Sequence, residues 1–131
     1  MPPVRPVLMV DDHPEVCVVL THVVVQLAPD ATIVEAVDGA EALRAVAQQS
    51  PDLIITDDQR PRMRGLDLIR ALRAQGAAMP ILALSSEPSV AAAILAAGAT
   101  AFLAKPFAVR ELRALLRTLL PDDAESQAVG A

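Results

Sequence analysis

The sequence predicts a single α/β domain in which helices cover both faces of a parallel five-stranded sheet. Five short apolar runs alternate with five longer segments that carry apolar residues at helical spacing. The short runs are typical of strands buried on both faces, and their alternation with helices favours right-handed crossovers in a parallel sheet. With 131 residues, of which 53% are hydrophobic, the chain can bury one core.

Each strand and helix is predicted from one stretch of this pattern. The predicted strands are residues 7–10, 32–35, 53–56, 81–84 and 101–103. The predicted helices are residues 14–27, a segment opened by Asp38, residues 66–74, a segment from Val90 that ends at Gly98, and residues 109–120. Inward positions of the second, third and last helices are predicted as Leu43, Val46, Ala47, Leu66, Ile69, Leu72, Leu112, Leu115, Leu116 and Leu119.

The segment 14–27 is ambiguous, because its six valines favour a strand. Pro14 suits the first turn of a helix, and the run is longer than a typical strand. Pro29 is placed to end it, so a helix is favoured. In the next helix, Asp38 and Glu41 have the spacing of a capping box.

Composition and charge exclude several classes of function. Eleven basic and sixteen acidic residues give a net charge of -5, unlike the basic surface of a nucleic-acid-binding protein. Cys17 is the only cysteine, which excludes an intrachain disulfide and a cysteine-based zinc site, and it is interpreted as a small buried residue. No stretch resembles a signal sequence or a membrane span. We expect no direct contact with nucleic acid or membrane, and a cytoplasmic location.

Polar residues stand at the carboxyl ends of four predicted strands. They are Asp11 and Asp12 after the first, Asp57 after the third, Ser85 after the fourth and Lys105 after the fifth. In an open parallel sheet, ligands bind beyond the carboxyl ends of the strands, where the winding direction reverses. These side chains are therefore expected to share one pocket, with Asp57 as its candidate nucleophile.

Residues 5 to about 119 resemble the receiver domain of two-component response regulators. The resemblance rests on the order and spacing of short motifs. These are Val10-Asp11-Asp12, Asp57 with Pro61 and Gly65, Leu84-Ser85-Ser86, Gly98-Ala99, and Phe102 to Phe107. The resemblance implies a (βα)5 doubly wound sheet of the flavodoxin-like type, with strand order 2-1-3-4-5.

The same resemblance implies a Mg²⁺ site beside Asp57. Adjacent strands lie about 4.8 Å apart, so acids after the first and third strands would crowd together and would need a cation between them. By the family pattern, the ligands would be Asp12, Asp57 and the backbone carbonyl of Gln59, and Asp11 would hold the ion through water.

The implied reaction is transfer of a phosphoryl group from the phosphohistidine of a histidine kinase or phosphotransfer protein to Asp57. Lys105 would supply positive charge, and the Ser85 hydroxyl would donate to a phosphoryl oxygen. Phe102 would then change rotamer, and the fourth helix, fifth strand and fifth helix would form the signalling face. The peptide bond before Pro106 is expected to be cis. The chain would modify itself and would not be an enzyme with turnover.

Two other classes of function remain open. A pseudo-receiver would use the same fold as a docking scaffold without phosphorylation; Ser85 and Lys105 argue against it, whereas Arg60 keeps it open. An aspartyl phosphatase of the haloacid dehalogenase type would need an aspartate two residues after its nucleophile, where this chain has Gln59.

Several residues near the pocket have simpler interpretations. Spacing to Pro61 selects Asp57 over Asp58, which is interpreted as a solvated loop residue. His13 and His22 are likewise interpreted as solvated and not as metal ligands.

Two stretches are unusual for the family. Arg60, Arg62 and Arg64 make the loop after Asp57 basic, and we interpret them as a solvated run or as a rim that contacts an acidic partner or steers phosphorylated donors. Nothing ionisable lies between Glu87 and Lys105. A smooth apolar surface on the fourth helix, formed by alanines 91, 92, 96 and 97, predicts an effector partner or a homodimer.

The domain organisation follows from where the apolar pattern ends. Residues 1–120 are expected to form the receiver domain, and residues 121–131 a short acidic tail without a second domain. Both a single-domain regulator and a receiver excised from a larger regulator or hybrid kinase fit this pattern.

Overall fold

The computed structural model describes residues 5–11, 13–58 and 63–120. Within these residues, five strands form one parallel sheet in the order β2-β1-β3-β4-β5. The strands are β1 (Arg5–Val10), β2 (Ala31–Ala36), β3 (Leu53–Asp57), β4 (Ile81–Ser85) and β5 (Ala101–Ala104). The predicted fold class and strand order are confirmed.

Helices connect successive strands, as right-handed parallel crossovers require. They are α1 (Pro14–Leu27), α2 (Gly39–Gln48), α3 (Gly65–Ala74), α4 (Ala91–Ala97) and α5 (Val109–Leu119), and a 3-10 turn at Pro88–Val90 precedes α4. The valine-rich segment is a helix because its apolar stripe packs on the sheet, which buries Leu20, Val23 and Val24. None of the helices in the described ranges is long and apolar enough to cross a membrane.

Successive side chains of each strand point to opposite faces of the sheet and therefore lie in two separate cores. In β3, Leu53 and Ile55 lie in the core beneath α1 and α5, whereas Ile54 lies in the core beneath α2, α3 and α4. The same alternation makes Asp57 and the next residue, Asp58, leave the end of β3 towards opposite faces of the sheet. The two neighbouring carboxylates therefore meet different surroundings.

The second helix differs in part from its prediction. Asp38 is its N-cap, and the Asp38 side chain accepts a hydrogen bond from the Glu41 N–H at 2.8 Å, as expected. Ala42 is the buried residue of the inner face, however, and Ala47 is exposed. A helix turns about 100° per residue, so Ala47 points away from the sheet when Ala42 and Val46 face it.

The exposed side of α4 carries small and apolar residues. Only Ile94 of this helix is fully buried. Of the four alanines predicted to form an apolar surface, Ala92 and Ala96 are exposed, whereas alanines 91 and 97 are half-buried. Ala93 and Leu95 are also exposed.

Arg73 of α3 holds the carboxyl end of α4. Its Nε donates to the Gly98 carbonyl at 3.0 Å, and its Nη1 donates to the Ala77 carbonyl at 2.9 Å. Burial lowers the pKa of the Arg73 guanidinium from its ordinary value. Gly98 has a φ of 122°, and a Cβ built there would lie 2.6 Å from the Arg73 Cγ. The helix end therefore requires glycine for both its backbone and its contact with Arg73.

We expect Gly98→Ala to destabilise the domain by about 1–3 kcal/mol, because it adds a strained backbone conformation and a side-chain clash. Urea unfolding would measure the loss. Gly76→Ala is a matched control, since Gly76 also has a positive φ of 86° but has nothing within 4 Å of its Cβ position. If the two variants lose the same free energy of unfolding, the clash with Arg73 does not contribute to the destabilisation.

Candidate functional site

The carboxyl edge of the sheet brings polar residues from four strands together. Asp57 ends β3, Ser85 ends β4, Asp11 follows β1 and Lys105 follows β5. Because β3 lies between β1 and β4, and β5 lies beside β4, these strand ends are consecutive along the edge. The structure therefore groups these predicted site residues at one edge of the sheet.

Asp57 is a buried carboxylate paired with a lysine. Its residue is 1% exposed, and the Lys105 Nζ lies 2.6 Å from its Oδ2. The Lys105 backbone N–H donates to the Ser85 carbonyl at 2.9 Å, and the peptide bond between Lys105 and Pro106 is cis. The lysine is thus held at the end of β5 with its charge aimed at the carboxylate.

Asp11 is the second buried acid of the site. Its Oδ1 accepts the His13 backbone N–H at 2.8 Å. Its Oδ2 is buried without a hydrogen-bond partner among the described residues, and the Lys105 Nζ lies 4.0 Å away. A buried carboxylate oxygen that lacks a partner is costly unless a cation meets it. The site therefore fits a hard cation with oxygen ligands.

His13 contacts both acids, which the sequence did not predict. Its Nδ1 lies 2.9 Å from the Asp11 Oδ1 and 3.5 Å from the Asp57 Oδ2, and about half of its side chain is exposed. One ligand atom from each of Asp11, His13 and Asp57 lies within 4.8 Å of the others. The expectation of a simply solvated residue is wrong for His13, whereas His22 is exposed on α1 as predicted.

Asp58 is fully buried, so its interpretation as a solvated loop residue is wrong. Its Oδ2 pairs with the Arg64 guanidinium, and its Oδ1 accepts the Leu66 N–H at 3.0 Å. The hydrogen bond from Arg64 to Asp58 holds the pKa of the guanidinium above its ordinary value. Alternation at the end of β3 is the sequence signal that could have placed Asp58 inside.

Arg64 therefore differs from its predicted place in a basic rim. About half of its side chain is exposed, but its guanidinium is bound to Asp58. Arg60 and Arg62, like the predicted ligand residues Asp12 and Gln59, lie outside the described residues. The hypothesis that a basic rim steers phosphorylated donors therefore stays a prediction for Arg60 and Arg62.

Ser85 ends β4, and Phe102 lies within β5. Ser85 is fully buried, and its Oγ accepts the Glu87 N–H at 3.0 Å. Phe102 is half-buried and packs against the core beneath α2, α3 and α4. Ser85 thus lies directly before the segment that leads into α4, whereas Phe102 lies in the adjacent strand β5.

A doubly wound parallel sheet with buried acids and a lysine at its carboxyl edge defines a class of α/β signalling modules. Residues 7–117 match the family described as the response regulator receiver domain. The chain belongs to this family, and it is a signalling domain of the two-component type.

Curated relatives extend well beyond the matched region. The chain is 47% identical over 93 residues to the response regulator MprA of Mycobacterium leprae, and 46% identical over 99 residues to MprA of Mycobacterium avium. These alignments cover 66% and 70% of this chain but only 41% and 43% of the relatives. The chain thus corresponds to about two fifths of their length.

Solved structures agree over nearly the whole fold. The chemotaxis protein CheY4 of Vibrio cholerae is 32% identical, with a TM-score of 0.78 over 90% of this chain and 100% of that chain. The receiver domain of the sensor histidine kinase PA1611 from Pseudomonas aeruginosa is 29% identical, with a TM-score of 0.76 over 89% and 98%. That receiver domain holds a magnesium ion coordinated in its active-site cleft.

We expect Mg²⁺ to raise the melting temperature of the protein, because a cation would satisfy the Asp11 Oδ2 and separate two like charges. At ten times the dissociation constant, mass action gives about 1.4 kcal/mol, or roughly 4 °C. Differential scanning calorimetry with and without MgCl₂ would measure the shift.

Asp11→Asn should reduce that shift, since it removes one of the negative charges that attract the ion. Asp52→Asn is the matched control, because Asp52 immediately precedes β3 at the opposite edge of the sheet. A shift that survives in Asp11→Asn but disappears in Asp52→Asn would contradict the assignment of the site.

Proposed function

We propose that this chain is a phosphoacceptor switch, in which Asp57 receives a phosphoryl group from the phosphohistidine of a histidine kinase or phosphotransfer protein. The main support is the pairing of a buried Asp57 carboxylate with the Lys105 ammonium at 2.6 Å, beside the Asp11 Oδ2, which has no hydrogen-bond partner among the described residues. A buried nucleophile next to a lysine and an acidic cation site suits phosphoryl transfer, which depends on positioning and charge neutralisation.

In the proposed reaction, a carboxylate oxygen of Asp57 forms a bond to phosphorus as the bond from phosphorus to the donor histidine nitrogen breaks. Lys105, held at the end of β5, faces the charge on the transferred group. Asp11 and Asp57 would hold Mg²⁺, together with Asp12 and the Gln59 carbonyl that the family pattern adds. When bound, the ion neutralises the equatorial oxygens of the phosphoryl group.

Ser85 is the proposed link from the site to the rest of the domain. Its Oγ accepts the Glu87 N–H, which leaves the hydroxyl proton able to donate to a phosphoryl oxygen. Such a bond would move the segment that leads into the 3-10 turn and α4. Phe102, which follows Ala101 at the start of β5, would respond to that movement by changing rotamer.

The proposed output surface comprises α4, β5 and α5. Leu95 is 45% exposed on α4 among small residues, so an effector or a second copy of the chain would gain apolar contact there. Light scattering with and without beryllofluoride would test the second copy, and Leu95→Ser should weaken any association found.

The domain assignment of residues 1–120 and the cytoplasmic location stay predictions.

The phosphoacceptor proposal predicts a covalent adduct on Asp57. The protein would be incubated with Mg²⁺ and acetyl phosphate, and the phosphoryl adduct measured by intact mass. We expect the adduct in the original protein and in Asp52→Asn, and none in Asp57→Asn, because only the last variant lacks the nucleophile. Lys105→Gln should keep the acceptor but slow the reaction roughly 100-fold, as loss of one charge-stabilising donor does elsewhere.

The alternatives predict different results from the same mixture. A docking scaffold would form no adduct in the original protein. A phosphatase would release phosphate continuously from unrelated phosphate esters. An adduct of equal size in Asp57→Asn would place the acceptor elsewhere.

A further inference from the structure

All four hydrogen-bonding groups of Asp58 are engaged inside the protein. Its backbone N–H donates to the Leu84 carbonyl at 2.8 Å, and its carbonyl accepts the Gly65 N–H at 3.2 Å. One oxygen of its carboxylate pairs with the Arg64 guanidinium, and the other accepts a hydrogen bond from the Leu66 N–H. The residue directly after the proposed phosphoacceptor is thus joined to β4 and to the first turn of α3.

These contacts join the two ends of one loop. Asp58 and Arg64 are six residues apart in the chain, and residues 59–63 lie between them in sequence. Beside them, a Cβ built on Gly65 would lie 2.8 Å from the Asp58 Cα and 3.0 Å from the Asp57 carbonyl oxygen. The start of α3 therefore packs directly on the backbone that carries Asp57.

We propose that Asp58 and Arg64 form a clasp that positions the backbone after Asp57 for cation binding. The inference rests on the proposed Mg²⁺-dependent function and concerns two residues outside the ligand set. Gln59, whose carbonyl the family pattern assigns to the metal, directly follows Asp58. Some residues do not bind a metal themselves but orient a residue that does. Their replacement commonly lowers the affinity for the metal by about 10–100-fold.

The clasp makes a prediction opposite in sign to that of simple electrostatics. Arg64→Gln removes a positive charge close to an acidic site, so charge alone predicts tighter Mg²⁺ binding. Loss of the clasp predicts weaker binding, because binding of the ion must then also fix the end of β3 relative to the start of α3. The direction of the change therefore separates a positioning role from a charge effect.

Asp58→Asn and the double variant complete the test. Asn keeps an oxygen that can accept the Leu66 N–H, while it loses the charge that binds Arg64. In Asp58→Asn/Arg64→Gln the net charge equals that of the original protein. Electrostatics alone therefore predicts recovery in the double variant, whereas the clasp predicts that binding stays weak.

The experiment is a titration of ¹⁵N-labelled protein with MgCl₂, followed by amide chemical shifts, which also report whether each variant is folded. We expect the dissociation constant for Mg²⁺ to rise about tenfold in Arg64→Gln, Asp58→Asn and the double variant. Arg64→Lys should fall between these and the original protein, because lysine keeps the charge with a single donor group. Arg70→Gln, an exposed arginine of α3, should bind as the original protein does.

Two results would overturn the clasp, and they are distinguishable from failure of the proposed function. One is tighter binding in Arg64→Gln with recovery in the double variant. The other is equal dissociation constants in folded Arg64→Gln and Arg70→Gln. If the original protein shows no Mg²⁺-dependent shifts, the proposed function and the clasp fail together.

Discussion

The burial of three carboxylates at one edge of the sheet is the constraint on which the site depends. Asp11, Asp57 and Asp58 are at most 6% exposed, and buried charges are tolerated only when they are paired. Lys105 pairs with Asp57 and Arg64 with Asp58, whereas the Asp11 Oδ2 has no hydrogen-bond partner within the described part of the chain and lies 4.0 Å from the Lys105 Nζ. Among these three acids, Asp11 is therefore the least compensated, and it is there that the cation is proposed to bind.

The ion pairs that compensate these charges also connect different elements of the fold. The ion pair of Lys105 with Asp57 joins the end of β5 to the end of β3 across β4. The pair of Arg64 with Asp58 joins the start of α3 to the end of β3 on the other face of the sheet. Each ion pair thus spans two elements that the backbone hydrogen bonds of the sheet do not join directly. The local electrostatics and the position of Asp57, the proposed nucleophile, are consequently set by the same contacts.

The sequence predicts the fold and the main residues of the site, because both follow from repeated patterns. Five apolar runs followed by polar residues place Asp57, Ser85 and Lys105 at strand ends, and the parallel sheet brings those ends together. Asp58 and His13 are different. For Asp58, alternation along β3 indicates an inward direction but does not identify Arg64 as the partner. For His13, the environment depends on which side chains come near it, and spacing along the chain does not contain that information. Polar residues on loops are usually solvated, so the usual interpretation fails where a buried partner exists.

The path from the site to the proposed output surface is short in this fold. Ser85 ends β4 at the edge of the sheet that carries the acids, and its Oγ accepts the Glu87 N–H immediately before the 3-10 turn that leads into α4. At its other end, α4 is fixed by Arg73, which binds the Gly98 carbonyl and contacts the position that a side chain there would occupy. A helix held at its carboxyl end and connected to the site at its amino end can respond mainly by moving that amino end. In the proposed switch, a hydrogen bond gained by Ser85 therefore acts on the amino end of α4.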